Sequence, residues 1–359
     1  MTEKIASEMR LVRGTGLPDR RYFRAALCFA FVRNSSLLEI AVLAVLVAPS
    51  PVARSQAPAT SQSHSNGAYT LRVDSNLVIL NATVVDRHNA LVSGLNQDDF
   101  QIYEENVLQQ IKHFSHEDIP VTVGLVVDNS GSMGPKRADV VAAALSFAGS
   151  SNPQDQIFLV NFNDHVSFGL PASLAFTNNR DQLQIALSKI DTIGQTALYD
   201  GIAAALDHLK QGKSDKKVLV LISDGGDNAS KLDLAQAISL AKQSATIIYT
   251  IGIFDDQDGD QNPGVLKRFA KETGGEAFFP ESPKELASIC EGIAHDIRNQ
   301  YTLAYTPTLP NQEAGYRAIV VKAKAAKRGP LSVRTRAGYS MPTTHPLAEP
   351  GAAAHASHN

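Results

Sequence analysis

The stretch VTVGLVVDNSGSM, residues 121–133, decides how this chain folds. Val121 to Val127 is apolar or small without alternation, the pattern of a strand covered on both faces. From Asp128 the composition turns abruptly to Asp, Asn, Ser and Gly. The segment Pro135 to Ala148 then reads as a helix, with Pro135 suited to its first turn. A buried strand that runs through a polar loop into a helix is the unit of an open α/β sheet. In such sheets ligand sites gather at the carboxyl ends of the strands.

Outward from this unit the same alternation repeats. Ile157 to Phe162, Val218 to Ile222 (VLVLI) and Thr246 to Ile251 (TIIYTI) are further buried strands. Leu198, Ile202, Leu206 and Leu209 mark a helical face, and Ala235 to Ala241 belongs to another helix. Val265 to Thr273 is helical and ends at Gly274-Gly275. A short strand at Ala277 to Phe279 and a helix from Pro283 to Arg298 complete the series. Continuous apolar strands separated by helices predict an α/β fold with a doubly wound, mainly parallel sheet over residues 119–299.

Two other segments reach the edge where Asp128 lies. Val218 to Ile222 runs into Ser223-Asp224-Gly225-Gly226, a second aspartate at a strand's carboxyl end. Gly194-Gln195-Thr196-Ala197-Leu198 places a hydroxyl just ahead of the helix bearing Leu198 and Ile202. Taken singly, Asp128-x-Ser130-x-Ser132 is an N-cap with spare polar residues, Asp224-Gly225 a turn, and Thr196 an N-cap. Taken together they offer two carboxylates and three hydroxyls at three neighbouring junctions. Hard oxygen ligands of this kind suit Mg²⁺, with water completing an octahedron.

DNSGSM (128–133), GQTALYDGI (194–202) and LISDGGDN (221–228) resemble the three motifs of von Willebrand factor type A domains. The resemblance covers roughly residues 120–299. It implies a doubly wound α/β sandwich with a metal-ion-dependent adhesion site, its ligands mapping to Asp128, Ser130, Ser132, Thr196 and Asp224. It also implies Mg²⁺, with Mn²⁺ and Ca²⁺ as alternatives, and a protein partner that completes the coordination with an Asp or Glu carboxylate. Gln195 stands where a glycine is frequent, which replaces no ligand.

The flanks carry a narrower resemblance. LVSGLNQDDFQIYEENVLQQIKHFS (91–115) and QYTLAYTP, YRAIVVKAKA and VRTRAGY within 300–339 are similar to the bacterial family of acidobacterial von Willebrand-related domains. Members combine an export signal with β segments on both sides of the type A domain. By their own patterns, Val78 to Val84 alternates with a period of two. Phe100, Ile102 and Tyr103 suggest a strand, and Val107 to Phe114 another. Tyr301 to Tyr305, Tyr316 to Ala323 and Leu331 to Arg336 are strand-like as well. Neither β segment is large enough alone. Segments 71–118 and 300–341 are therefore expected to pair into one small β domain. The family's Asp-Gly turn after Glu104 is replaced by Glu105-Asn106, where Asn tolerates the left-handed conformation.

Residues 1–57 have the order of an export signal: six arginines up to Arg33, an apolar run from Leu37 to Ala48, then small residues and prolines. Met9 is an alternative start, and Arg20-Arg21 resembles a twin-arginine signal. Ala25-Ala26-Leu27-Cys28 is a poor lipobox, and an uncleaved membrane anchor is the competing reading. Residues 58–70 read as a linker and 342–359 as a disordered tail, with His345, His355 and His358 solvated.

A formal net charge of -3 gives no basis for nucleic-acid binding, and 43% hydrophobic content supports a sizeable core. With Cys28 in the export segment, the mature chain holds only Cys290, read as core packing. HExxH, GxSxG, GxxxxGK[ST] and GxGxxG motifs are missing, so an exported binding module is expected and not an enzyme. A scaffold with a structural metal site, or a metal-dependent hydrolase, are the other readings. Asp200 and Asp227 are candidates to support the metal from outside its ligand shell. Asp164 and His165 read as a turn, and Asp255, Asp256, Asp258 and Asp260 as a solvated acidic rim.

Overall fold

The computed structural model describes residues 77–189, 191–254, 259–308, 315–326 and 328–340, which belong to one compact unit. The expected export segment, linker, tail histidines, and Asp255, Asp256 and Asp258 lie outside the described residues.

Two four-stranded sheets interleave strands from both ends of the described chain. One has β1 (Val78–Val85) between β13 (Ser332–Arg334) and β11 (Tyr301–Tyr305), with β4 (Ile111–Ser115) at its far edge. The other runs β14 (Gly338–Ser340), β12 (Tyr316–Ala323), β2 (Phe100–Glu104), β3 (Val107–Gln109). Leu80, Ala82, Ile102, Tyr301, Leu303, Tyr305, Ile319 and Val321 share the core between them. Period-two burial along β12 follows from one face meeting this core while the other meets solvent. Val107 to Phe114 is not one strand: the chain switches sheets at Gln110, β3 pairing with β2 and β4 with β11.

Glu105 and Asn106 join β2 to β3 with φ of 48° and 65°. Positive φ at both central residues is what a two-residue hairpin turn needs to match strand twist. Within the core below the turn, Glu104 is fully buried, paired with Arg317 at 2.7 Å and accepting from Tyr305 at 2.6 Å.

Between these flanks lies a six-stranded sheet ordered β10-β9-β8-β5-β6-β7. Its strands are β5 (Thr122–Asp128), β6 (Gln156–Phe162), β7 (Val166–Phe168), β8 (Lys217–Ser223), β9 (Ile247–Gly252) and β10 (Ala277–Phe278). All pairings are parallel except β6 with β7. Every residue of β5 and β9 is buried, the reason their sequences are apolar without alternation. Helix α1 (Arg137–Ser150) packs against α6 (Leu286–Arg298) and α2 (Arg180–Ser188). On the other face α3 (Leu198–Leu209) packs against α4 (Leu234–Gln243), and α4 against α5 (Pro263–Thr273).

Pro135 opens no α-helix. Gly131–Lys136 forms a tight 3-10 turn first, and α1 begins at Arg137. Helix α5 ends at Gly274, whose φ of 86° is the left-handed cap glycine takes most readily. Strands β7 and β14 and helix α2 are additions to the sequence-based expectation.

A buried polar cluster ties the flanking sheets to the central one. Asp296 of α6 accepts from Thr83 of β1 at 2.7 Å, from Tyr249 of β9 at 3.0 Å and from Arg334 of β13 at 2.8 Å. Gln300 adds bonds to Thr83 and Tyr249.

Two expectations follow. Asn106→Gly puts a residue at ease with positive φ into the hairpin and raises stability by about 0.5 kcal/mol, read from the midpoint of denaturant unfolding. A lower midpoint would contradict the turn assignment. Cys290 is fully buried and burial pushes its thiol up to about 12. Peptide-resolved mass spectrometry should find it unmodified by a thiol reagent at neutral pH until denaturant unfolds the chain. Fast labelling of the native protein would contradict its placement in the core.

Candidate functional site

Strands β5 and β8 are parallel neighbours, with Val127 opposite Ile222. From β5 the chain continues through α1 to β6 on one side, and β8 continues through α4 to β9 on the other. The strand order reverses between them, and a crevice opens at the carboxyl ends where such a reversal occurs. Asp128 is the last residue of β5, and Asp224 directly follows β8.

Both carboxylates are buried, at 2% and 3% exposure. Asp128 Oδ1 accepts from the Ser130 amide at 2.9 Å and Oδ2 from Ser223 Oγ at 2.6 Å. Asp224 Oδ1 accepts from the Gly226 amide at 3.0 Å and Oδ2 from Ser132 Oγ at 2.7 Å. Ser130 Oγ and Ser132 Oγ are 3.2 Å apart. The structure therefore brings Ser130, Ser132 and Asp224 into one hydrogen-bonded chain, with Asp128 holding the loop that presents them.

The electrostatics are unbalanced. These donors are neutral hydroxyls and amides, so they offset only part of the cost of burying charge. Burial pushes the Asp128 carboxyl up to about 6, against the pull of Ser130 and Ser223. Among the described residues there is no group of three or more His, Cys, Asp or Glu side chains able to hold a metal. A cation centre at this edge must then use hydroxyls beside its carboxylates, as Ser130 and Ser132 permit. The donor set is all oxygen and fits Mg²⁺.

Thr196 is buried at 7% exposure and reaches the same edge on a loop pinned from three sides. Its amide donates to Asn228 Oδ1 at 2.8 Å, and its carbonyl accepts from the amides of Asn228 and Ala229. Upstream, the Gly131 amide donates to the Gly194 carbonyl at 3.1 Å, and the Gln195 amide to Asp164 Oδ1 at 3.0 Å. The Thr196 loop thus touches the Ser130 loop on one side and the Asp224 loop on the other.

The neighbouring aspartates have local partners. Asp200 accepts from the amides of Lys231 and Leu232 at 3.0 and 3.1 Å. Asp227 Oδ1 accepts from the Tyr199 amide in the first turn of α3 and from Ser230 Oγ. His165 closes a turn on Asn163 Oδ1. Asp260 lies on the segment that packs on the Asp224 loop, where the Asn262 amide donates to the Asp224 carbonyl at 3.0 Å.

Sequence reasoning missed three supports. Ser223 holds the second oxygen of Asp128, and its position just before Asp224 was the available signal. Asn228 anchors Thr196. Asn129 is fully buried; its side-chain amide donates to Asn161 Oδ1 at 2.9 Å, and its Oδ1 accepts from Arg137. A separate cavity of about 690 Å³ beside α6 is lined by Glu276, His295, Asp296, Arg298 and Arg334. Arg334 pairs there with Glu276 and Asp296, and Arg298 with Asp118.

Gly194 has φ of 85°, and a Cβ there would meet Asp164 Oδ2 at 1.9 Å. Gly194→Ala should therefore displace the Thr196 loop and cost about 1–3 kcal/mol of stability, measured by thermal unfolding. Unchanged stability would mean the loop is not held as described.

Residues 122–291 match the family model of the von Willebrand factor type A domain. An uncharacterised protein of Borreliella burgdorferi is 24% identical over 204 residues, 54% of this chain and 59% of its own length. An uncharacterised protein of Synechocystis is 25% identical over 173 residues, 46% of this chain and 39% of its own length. The chain thus spans less than two thirds of the length of either relative. Among solved structures, a von Willebrand factor type A protein from Catenulispora acidiphila is 14% identical, with a TM-score of 0.46. The match covers 67% of this chain and 75% of that one.

Proposed function

For a chain that carries a von Willebrand factor type A domain at residues 122–291, we propose the function of an exported module that binds a protein partner through a divalent cation. Asp128, Ser130, Ser132, Thr196 and Asp224 would hold Mg²⁺, with Mn²⁺ or Ca²⁺ as substitutes. The observation that carries this reading is the contact of Ser132 Oγ with Asp224 Oδ2 at 2.7 Å, with Ser130 Oγ 3.2 Å further along. It joins ligand groups from two strand ends that are far apart in sequence. When bound, the cation supplies Lewis acidity toward an incoming carboxylate oxygen.

The residues of the chain do the rest. Asp128 and Asp224 would offset the cation's two charges, and the hydroxyls add only neutral oxygens, so an open coordination position and the cation's Lewis acidity would be left for a carboxylate from the partner. Ser223 and the Ser130 and Gly226 amides fix the two aspartates before any ligand arrives, which lowers the ordering cost of binding. The partner is a protein presenting an Asp or Glu side chain, not a nucleic acid. A membrane enters only if the N-terminal segment is retained. The basic and apolar order of residues 1–57 supports export, and capture without turnover is the activity proposed.

Asp128→Ala should weaken Mg²⁺ binding by at least about 100-fold in calorimetry, because it removes a charged ligand. Stability should fall by no more than about 2 kcal/mol, because the bonds lost by the Ser130 amide and Ser223 are partly offset by removal of a buried carboxylate. Partner capture by the parent protein should be abolished by chelator, and capture by Asp128→Ala should match that background. Thr196→Ala removes one neutral ligand and should weaken capture by about tenfold with a smaller loss of Mg²⁺ affinity. An Asp128→Ala protein that binds Mg²⁺ and partners like the parent would leave the scaffold reading in its place.

A further inference from the structure

The cavity of about 690 Å³ beside α6 lies where the β flanks meet the central sheet. Leu91 and Arg334 of the flanks form one wall, and Ser150 at the end of α1, Phe278 of β10 and one face of α6 form the rest. Pockets of this size gather at such junctions. Gly292 lies in the cavity wall, inside α6, where glycine is a poor helix former. Neither its backbone nor its neighbours require glycine there. Its φ is not left-handed, and a Cβ would meet nothing within 4 Å. What the missing side chain leaves is room in the cavity.

The charges of the wall select the ligand. Glu276, Glu291 and Asp296 stand there with Arg298 and Arg334. Arg334 is engaged by Glu276 and Asp296, and Arg298 by Asp118 and the Ser150 carbonyl. Lys216 also acts on Asp296, while donating to the Ile297 carbonyl. Glu276, Glu291, Asp296 and Asp118 therefore outnumber Arg298, Arg334 and Lys216 by one. Asp86 and Arg87, on the turn that carries Asn89, add one charge of each sign. His295 adds positive charge only when protonated. The carboxylate left over is Glu291, exposed on α6. It accepts from Ser146 Oγ and has no cation partner among the described residues. The carbonyl end of α1 at Ser150 adds partial negative charge, which also favours a cation.

We infer that this cavity binds a small aliphatic amine, its chain against Leu91 and Phe278 and its ammonium toward Glu291. The amine arrives as a free molecule or as a lysine side chain of a partner. Saturation-transfer NMR titrations of the full chain separate the two, at about pH 8, where imidazole is neutral. The probes are n-pentylamine, 1-pentanol, pentanoate and the peptide acetyl-Gly-Gly-Lys-Gly-Gly-amide. Pentylamine should bind with a Kd of about 1 mM, at least about tenfold tighter than pentanol, with pentanoate weakest. Peptide binding as tight as that of pentylamine, or tighter, identifies a protein-borne lysine, and weaker peptide binding a free amine. Glu291→Gln, which can still accept from Ser146, should weaken pentylamine binding by about tenfold. Gly292→Leu should fill the cavity and abolish binding, with the melting temperature kept or raised. Should Gly292→Leu melt early, Glu291→Gln alone decides. Pentanol or pentanoate binding as tightly as pentylamine overturns the inference. So does pentylamine affinity unchanged by either folded variant, or no saturable pentylamine binding up to about 20 mM.

Discussion

Two buried carboxylates at adjacent strand ends are the constraint around which this fold is arranged. The parallel register of β5 and β8 sets Val127 beside Ile222, and each chain then delivers an aspartate into the crevice. Burying a carboxylate away from water disfavours its charged form, and a second carboxylate nearby adds to that cost for Asp128. Hydroxyls and amides temper that cost without cancelling it, and burial still pushes Asp128 up to about 6. An arrangement this costly to leave uncompensated is the physical basis for proposing that a cation belongs there.

Much of the surrounding structure serves to keep the arrangement rigid. The Ser130, Thr196 and Asp224 loops are joined to one another by backbone bonds through Gly131, Gly194 and Asn228. Beneath them the sheet is apolar and fully buried, so the strand ends cannot drift independently. The flanking sheets attach through α6, where Asp296 gathers Thr83, Tyr249 and Arg334 in a single buried cluster. Removing a partner from such a cluster leaves a buried polar group unsatisfied, so the β flanks and the α/β sheet hold each other in place.

The sequence was most informative where burial was most complete. Val121 to Val127 and Val218 to Ile222 were legible because a strand covered on both faces must be apolar throughout. Asp128, Ser130, Ser132 and Asp224 meet at one edge because they follow those strands closely, whereas Thr196 reaches it on the loop before α3. Val166–Phe168 was not legible, since a short, largely exposed edge strand has no apolar run to mark it. Helix α2 did carry a signal, in Asn179 capping the amides of Asp181 and Gln182, but its single turn-and-a-half of apolar positions was passed over. The division of Val107 to Phe114 between two sheets was invisible for a different reason. Strand propensity continues across Gln110, and only long-range partners decide that pairing changes there. Asp200 and Asp227 show the same limit: proximity to the motifs was readable, but not that their oxygens are engaged by the amides of Lys231, Leu232 and Tyr199.

The most direct measurement is anomalous diffraction from crystals of the protein grown with Mn²⁺, collected at a wavelength where manganese scatters anomalously. The account predicts a peak at the carboxyl edge of the central sheet, bounded by Asp128, Ser130, Ser132, Thr196 and Asp224. A well-ordered edge with no peak there, or manganese bound only elsewhere on the chain, would contradict it.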